Sequence, residues 1–420
     1  MGVKILSLYD GMACGMIAMQ LARVEVESYD AYEIDKYAIK TAQHNFPMIK
    51  EHGDVFDADF TQYEGVDFLI GGSPCTYWSI AQTKNRETVA IGMGWELLSQ
   101  YVRALHEAKP KYFIYENNKS MSKQIRASID KAFGFEAVLI NSTLVSAQNR
   151  QRLYWVGKRN EDGTYSKVNV EQPADRGILL KDVLDSAVAR DLTCNDKSYT
   201  LTASYGGACA WNTIERCQRN MVAEPVCVAE RGRMYCGQPQ HYEARTDGKT
   251  NTLTSVEKDN RIAEPVRIGT YPTSDGRLLN SQGNRIYSVC GKAVTQSAQG
   301  GGWGAKTGLY AIPYAIKFDD DGRPIKAIGK DGKEITIYEV KDGKITIKGK
   351  QYPIKLKDGY YIIRKLTVSE CKRLQTVPEW YEFPVSNSQA YKMLGNGWTC
   401  EVISHLIRSC MAEQWGGVDG

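Results

Sequence analysis

A cysteine and an acid follow two neighbouring apolar segments of the sequence. Gly71-Gly72-Ser73-Pro74-Cys75-Thr76 comes directly after the apolar run Val66–Ile70, and Tyr115-Glu116-Asn117-Asn118 ends a later run. A cysteine in a glycine-rich polar loop is well placed to act as a nucleophile, and an acid beside it can act in general acid catalysis. Cysteines are more often buried structural residues, and acids more often lie on the surface. The polar loop favours Cys75 as a nucleophile and Glu116 as its acid.

Two arginines alternate within Ala147-Gln148-Asn149-Arg150-Gln151-Arg152, just before a predicted strand. Guanidinium groups bind carboxylates and phosphates through paired hydrogen bonds. Arg150 and Arg152 therefore suit the binding of anionic groups, although an exposed basic strand start has the same pattern.

Three loops have the residue types of an adenosine-binding site. In the first, Leu8-Tyr9-Asp10-Gly11-Met12-Ala13-Cys14-Gly15, the glycines allow a nucleotide to approach the backbone. The second, Tyr32-Glu33-Ile34-Asp35, offers an acid about 20 residues downstream, where it can bind ribose hydroxyls. The third is Gly53-Asp54-Val55. The first loop alone fits an ordinary tight turn equally well, but the three together favour an adenosine-containing cofactor.

Short apolar runs alternate with helical periodicity over the first 160 residues. The predicted strands are Val3–Tyr9, Ser28–Ile34, Val66–Ile70, Lys111–Tyr115, Glu136–Ile140 and Leu153–Gly157. The predicted helices are Met16–Ala22, Tyr37–Asn45, Glu96–Ala108 and Ser122–Ala132. This alternation predicts an α/β fold with a Rossmann-like, doubly wound, mostly parallel sheet. Such sheets bind ligands at the carboxyl ends of their strands, where the loops described above are expected to lie.

The rest of the chain divides into a β-rich middle and a helical C-terminal segment. Residues 190–313 contain internal repeats, such as Thr200-Leu201-Thr202 and Thr252-Leu253-Thr254. Asp-Gly pairs separate β-branched and aromatic runs over residues 316–363, which predicts a hairpin meander. Helical periodicity then returns. The expected parts are a catalytic and cofactor-binding domain at 1–160, an inserted β-rich domain at 161–362, and a C-terminal segment at 363–420 that returns to the first domain, with helices at Ser369–Gln375 and Val402–Cys410.

The composition is that of a globular protein. The chain has 420 residues, of which 42% are hydrophobic and 24% charged, and this excludes a disordered or fibrous protein. No run approaches the roughly 18 apolar residues of a membrane span, and the N-terminus lacks the pattern of a signal peptide. We therefore expect a soluble, cytoplasmic protein. The net charge of +4 permits a nucleic-acid partner, and the 11 cysteines include no C-x-x-C pair that would predict a metal site.

In their order along the chain, these motifs resemble those of the cytosine-5 DNA methyltransferase family. The matching segments are Asp10-Gly11-Met12-Ala13-Cys14-Gly15, Ser73-Pro74-Cys75, Glu116-Asn117-Asn118, Gln148-Asn149-Arg150-Gln151-Arg152, Arg364-Lys365-Leu366-Thr367, Arg373-Leu374-Gln375 and Leu394-Gly395-Asn396-Gly397. By position, the β-rich middle corresponds to the target-recognition domain of the family. The first loop is closer to the animal de novo methyltransferases than to the bacterial pattern. Thr76 stands where many bacterial enzymes have Gln, and Asn118 where Val is usual.

The resemblance implies a class I methyltransferase that transfers a methyl group from S-adenosylmethionine to carbon 5 of a cytosine at a specific DNA site. The cytosine would be flipped out of double-stranded DNA and attacked by Cys75 to form a covalent adduct. The residues implied in catalysis are Cys75, Glu116, Arg150 and Arg152. The residues implied in cofactor binding are Tyr9, Asp10, Gly11, Cys14, Glu33, Ile34, Asp54, Val55, Leu97, Asn396 and Trp398. We expect a monomer on DNA, and a cognate restriction endonuclease is a further expected partner.

Three other functions fit parts of this pattern. A tRNA cytosine-5 methyltransferase of the same fold would share the chemistry, but usually has a compact recognition domain. A noncatalytic DNA-binding relative would not need Cys75, Glu116 and Arg152 together. A nicotinamide-dependent oxidoreductase would use the glycine loop and the following acid, but would leave Cys75 unexplained. A site-specific DNA methyltransferase accounts for all of the motifs.

Overall fold

The computed structural model of the chain describes residues 2–79, 86–185 and 366–415, together with short stretches between them. Those stretches are 198–199, 203, 222–225, 228–231, 241–244, 268–270, 285–288, 315–318, 324–328, 334–347, 349–353 and 358–364. The chain forms two compact units. The first unit consists of Met1–Ser146, Arg150–Gly177 and Lys372–Gly420, and the second of Ala147–Asn149 and Ile178–Cys371.

A twisted sheet of eight strands, counted over the described residues, organises the first unit. Numbering strands in chain order through both units, its members are β1 (Val3–Leu8), β2 (Val26–Tyr32), β3 (Lys50–Glu51), β4 (Phe68–Gly71), β5 (Tyr112–Asn118), β6 (Val138–Asn141), β8 (Gln151–Arg159) and β9 (Tyr165–Lys167). The spatial order is β3-β2-β1-β4-β5-β8-β6, with β9 paired to β8. The strands from β3 to β5 are parallel, whereas β8 runs antiparallel to β5, β6 and β9. The chain order reverses at β1, which creates the crevice where such sheets bind ligands.

Among the helices of both units, several begin or end at local capping signals and have one buried apolar face. Their bounds are α1 (Cys14–Ala22), α2 (Lys36–Asn45), α3 (Met93–Ala108), α4 (Lys123–Phe133), α5 (Leu180–Val183), α6 (Val368–Leu374), α7 (Asn387–Asn396) and α8 (Cys400–Trp415). The Asp35 carboxylate caps α2 by accepting a bond from Tyr37 N at 2.9 Å, and the Ser122 hydroxyl caps α4 in the same way. No helix in the described part of the chain is long and apolar enough to cross a bilayer.

The core of the first unit is strongly aromatic. Strand β5 is buried along its whole length, as expected for a strand covered on both faces. Tyr101, Phe133 and Trp155 pack against Phe113 and Tyr115 of this strand, with ring centroids 4.8 to 6.1 Å apart in the contacts that these five residues share. Helix α8 packs against α1, so the C-terminal segment belongs to the first unit. This core fixes the strand ends that carry the site.

The second unit is built from short, mostly antiparallel strands. Their bounds are β7 (Gln148–Asn149), β10 (Ser198–Tyr199), β11 (Val222–Pro225), β12 (Val228–Arg231), β13 (His241–Ala244), β14 (Ile268–Thr270), β15 (Arg285–Ser288), β16 (Ala315–Phe318), β17 (Pro324–Ile328), β18 (Glu334–Thr336), β19 (Tyr338–Lys341), β20 (Lys344–Ile347), β21 (Lys350–Pro353) and β22 (Gly359–Arg364). At the hairpin between β19 and β20, Asp342 and Gly343 have φ of 52° and 66°, as a tight hairpin turn with two positive φ values requires. Most of the repeat region, 190–313, lies outside the described residues.

The unit boundaries differ from those expected at 160 and 362. The first unit extends to Gly177, because β9 continues the edge of its sheet through pairing with β8. The second unit includes Ala147–Asn149, because β7 pairs with β10, and it extends to Cys371. The arginine motif is therefore divided, with Arg150 and Arg152 in the first unit.

Candidate active site

The loop that carries Cys75 follows β4 and is tied to the end of the neighbouring strand β5. The Ser73 and Tyr115 hydroxyls lie 2.6 Å apart, and Asn117 Nδ2 donates to the Ser73 carbonyl at 3.3 Å. A short 3₁₀ helix, Cys75–Tyr77, begins at the cysteine. The side chain of Cys75 lies outside the described part of the structure. The bonds to β5 hold the start of this loop beside the strand that bears Glu116.

Glu116 is a buried acid with a donor on each carboxylate oxygen. Arg152 Nε lies 2.9 Å from Oε1, and Trp398 Nε1 donates to Oε2 at 3.0 Å. Arg152 reaches this position because β8 pairs antiparallel with β5, which places Arg152 opposite Asn118. Two of the predicted catalytic side chains therefore meet directly, and Trp398, predicted as a cofactor residue, joins them.

Gly72 leaves room for this arrangement. A Cβ atom added at Gly72 would lie 2.9 Å from Glu116 Oε2, 2.9 Å from the Glu116 carbonyl and 3.4 Å from Trp398 Nε1. Real Cβ atoms essentially never approach other heavy atoms below 3.0 Å. Glycine at this position therefore lets the indole and the carboxylate come together above the loop.

Arg150 is a buried residue whose guanidinium holds the turn that leads to Trp398. It is only 3% exposed, and its guanidinium donates to the Gly395 carbonyl at 3.3 Å and to the Gly397 carbonyl at 2.9 Å. Gln375 Nε2 supports the same turn by donating to the Leu394 carbonyl at 2.6 Å. The two arginines of the motif thus have different partners: Arg152 pairs with the Glu116 carboxylate, and Arg150 fixes the turn that precedes Trp398.

The first two predicted cofactor loops are bonded to one another. Glu33 Oε2 accepts from Gly11 N at 2.8 Å, and Oε1 accepts from the backbone N–H groups of Ile34 and Asp35. Gly11 has φ of 62°, a left-handed conformation that favours glycine. An added Cβ at Gly11 would meet nothing within 4 Å, so open space lies above this loop.

The first loop is held in place by contacts of three of its own side chains, those of Tyr9, Asp10 and Cys14. The Tyr9 hydroxyl donates to the Leu97 carbonyl at 2.6 Å. Asp10 is buried and accepts hydroxyl bonds from Ser7 and Tyr29, and burial raises its pKa to about 6. The Cys14 thiol lies 3.9 Å from the Trp398 carbonyl, which links the first loop to the C-terminal segment.

The remaining predicted cofactor residues include an exposed apolar side chain and a capping acid. Ile34 is 74% exposed, directly after the Glu33 carboxylate. Asp54 is exposed and caps a 3₁₀ helix through Phe56 N, whereas Val55 is buried. Asn396 is exposed at the end of α7. These loops thus bring together an acidic side chain, the exposed side chain of Ile34 and the open space over Gly11.

Comparison with known proteins decides the family. Residues 3–412 match the C-5 cytosine-specific DNA methylase family.

The chain belongs to this family. It transfers a methyl group from S-adenosylmethionine to carbon 5 of cytosine in DNA, and the expected enzyme class and cofactor are confirmed. The mostly parallel α/β sheet described above agrees with the expected fold class.

Phage methyltransferases are among the relatives of this methylase. It is 28% identical over 334 residues to the orphan methyltransferase M.Rho11sI of Bacillus phage rho11s, a match that covers 75% of this chain and 61% of the relative. It is 25% identical to the orphan methyltransferase M.SPRI of Bacillus phage SPR, with 97% of each chain covered. The solved structure of the Dnmt2 methyltransferase of S. pombe aligns with 98% of this chain and 99% of that one, at 12% identity and a TM-score of 0.46.

One buried acid near Asp10 and Glu33, Glu51, is not indicated by any pattern in the sequence. Both of its carboxylate oxygens are buried, without a hydrogen-bond partner among the described residues. Burial raises the pKa of Glu51 to about 8, and the negative charges of Asp10 and Glu33 add to this effect. Next to Lys50 and His52, Glu51 has the sequence pattern of a surface acid. Only the pairing of β3 with β2, which places it opposite Ala31, puts it inside.

Proposed function

We propose that this methylase modifies cytosine within specific sequences of double-stranded DNA through a covalent adduct with Cys75. One arrangement supports this proposal above the others. The Cys75 loop and Glu116 lie at the carboxyl ends of adjacent parallel strands, joined by the contact between Ser73 and Tyr115, with Arg152 on the Glu116 carboxylate.

Cytosine needs activation because carbon 5 of its aromatic ring is a poor nucleophile. The Cys75 thiolate adds to carbon 6, which makes carbon 5 resemble the carbon of an enamine. Glu116 acts as the general acid: it passes a proton to ring nitrogen 3 and accepts a hydrogen bond from the exocyclic amino group as charge develops on the ring. Arg152 contacts the base and holds Glu116 in place. Carbon 6 is inaccessible inside a base stack, so the cytosine must first leave the duplex.

S-adenosylmethionine supplies the methyl group from a positively charged sulfonium. In this chain, Glu33 would hold the ribose hydroxyls, since carboxylate oxygens keep lone pairs after accepting the backbone bonds. Ile34 would pack against adenine, and Asp54 and Val55 would line the adenine edge. After carbon 5 is methylated, loss of its proton restores the aromatic ring and expels the Cys75 thiolate.

The residues at 190–313 are proposed to supply the contacts to base edges in the major groove, where each base pair is distinct. A monomer on DNA and a cytoplasmic location are proposed with this function, because DNA and S-adenosylmethionine are both available there. The sequence resemblance also predicts a cognate restriction endonuclease as a partner. The two phage relatives are named orphan methyltransferases, which favours an enzyme that acts without one.

A duplex containing 5-fluorocytosine tests the covalent step. Fluorine at carbon 5 cannot leave as a proton, so the adduct should persist on a denaturing gel and by mass spectrometry when S-adenosylmethionine is present. Cys75→Ser should form no adduct and lose methyl transfer, because a hydroxyl is a far poorer nucleophile at neutral pH. Cys410→Ala, at a buried cysteine of α8, serves as the matched control and should keep both. Wild-type protein that binds this duplex without forming an adduct would contradict the mechanism.

A further inference from the structure

We propose that Trp398 is a positioning residue for Glu116, which it holds through its indole N–H in the orientation needed to receive cytosine. The inference rests on the proposed role of Glu116. It adds a function to a side chain that the family resemblance assigns only to the cofactor pocket.

The two donors fix the Glu116 carboxylate from opposite oxygens. Arg152 Nε lies 2.9 Å from Oε1, and Trp398 Nε1 lies 3.0 Å from Oε2. A glutamate side chain otherwise samples several rotamers, and ordering it upon substrate binding costs free energy. Fixing it beforehand removes that cost from the reaction. Each oxygen keeps a lone pair, one to accept from the exocyclic amino group and one to carry the proton that passes to the ring nitrogen.

An indole suits this position chemically. Its N–H only donates, so it stabilises the carboxylate without competing for the bonds that the carboxylate accepts. It carries no charge, so it adds no second cation beside the guanidinium that Arg152 places on Glu116. A lysine or histidine at position 398 would add a second titrating group within 3.0 Å of the acid.

The surrounding residues fix Trp398 itself. The thiols of Cys14 and Cys400 each lie 3.9 Å from its carbonyl oxygen. On one side, Arg150 holds the Gly397 carbonyl. On the other, the Thr399 hydroxyl donates to Gln375 Oε1 at 2.9 Å. The indole is thus presented by a backbone anchored on both sides, and Gly72 leaves space for its approach to Glu116.

The variant Trp398→Phe distinguishes the positioning of Glu116 from a role in lining the cofactor pocket. Phenylalanine keeps an aromatic ring for the pocket but lacks the N–H that bonds to Glu116. We expect kcat on duplex DNA to fall about 10- to 100-fold, the range for a hydrogen bond to a charged group. The Kd for S-adenosylmethionine, measured by calorimetry, should change by less than about twofold. Trp398→Ala should weaken cofactor binding as well. Trp380→Phe, at an exposed tryptophan, is the control and should leave kcat and Kd unchanged.

A double-mutant cycle with Glu116→Gln supplies a measurement that a purely structural role would not change. In the Glu116→Gln background, Trp398→Phe should lower kcat by less than about twofold further, because its partner carboxylate is already gone. Additive losses would overturn the inference, as would wild-type kcat for Trp398→Phe at saturating cofactor. Full activity of Glu116→Gln alone would instead refute the role proposed for Glu116. Melting temperatures of all variants distinguish these outcomes from unfolding.

Discussion

Replacing Glu51 with glutamine should stabilise the folded methylase at pH 8, and the gain should shrink as the pH falls toward 5. Glu51 has a pKa of about 8 in the folded protein, against an ordinary value of 4.5. Between pH 4.5 and about pH 8, Glu51 has lost its proton in the unfolded chain but still binds it in the folded protein. Stability therefore falls as the pH rises through this window. Glutamine resembles the protonated acid in shape and does not titrate, so it removes this loss.

The size of the effect follows from the same two values. Each tenfold change in proton affinity corresponds to about 1.4 kcal/mol, so a rise from 4.5 to about 8 sets an upper limit of about 5 kcal/mol for a fully sealed group. Glu51 as a residue is only half-buried, although its carboxylate oxygens are inside. Screening by solvent reduces the expected gain to about 1–2 kcal/mol. For a unit of this size, that is a rise in Tm of about 2–8 °C at pH 8.

Differential scanning fluorimetry of wild type and Glu51→Gln at half-unit steps from pH 5 to pH 8.5 measures this difference. Glu25→Gln is the matched control, since it removes the same charge from an exposed acid just before β2. The Tm difference for Glu51→Gln should grow with pH, and that for Glu25→Gln should not. A difference for Glu51→Gln that stays constant with pH, or that reverses sign at pH 8, would refute the assignment of a buried protonated acid.

Three further perturbations address the cofactor, the active-site geometry and recognition. Glu33→Ala should weaken S-adenosylmethionine binding by removing the ribose contact, and unchanged calorimetric affinity would exclude that role. Gly72→Ala should lower kcat by at least about tenfold with the fold retained, because the new methyl group would lie 2.9 Å from Glu116 Oε2; a wild-type rate would show that this approach is dispensable. Replacing Ser198–Val226 with the matching segment of a relative of different specificity should change the methylated sequence in a methylome. An unchanged sequence with activity preserved would remove this segment from DNA recognition.

The strand ends that carry the site could be predicted because the strands themselves are unbroken apolar runs. The run Val66–Ile70 predicted a strand that the structure places at Phe68–Gly71, and the Cys75 loop follows it as expected. Strand β5 continues to Asn118, beyond its predicted end at Tyr115. Polar residues such as Glu116 have the sequence pattern of a loop, but antiparallel pairing with β8 keeps them in the sheet. The sequence around Glu116 does not indicate that β8 pairs with this part of β5.

Other features could not be predicted because they depend on contacts between distant residues. Helix α7 is not predicted by its sequence, because Gly395 and the asparagines at its two ends have low helix propensity. Burial of apolar residues such as Tyr391 and Leu394 stabilises the helix despite that low propensity. The position of Glu51 depends on a two-residue strand. The bond between Trp398 and Glu116 joins residues 282 positions apart, a contact that no local pattern specifies.

That separation has a consequence for the synthesis of the enzyme. Ribosomes add about 5–20 residues per second, so Glu116 leaves the ribosome roughly 15 to 55 seconds before Trp398 does. Once Arg152 has followed, the nascent chain contains the cysteine, the acid and both arginines, but the turn held by Arg150 and the indole donor have not yet been made. The acid therefore acquires its second donor only after translation has passed position 398, so the catalytic site is finished long after its acid has been made.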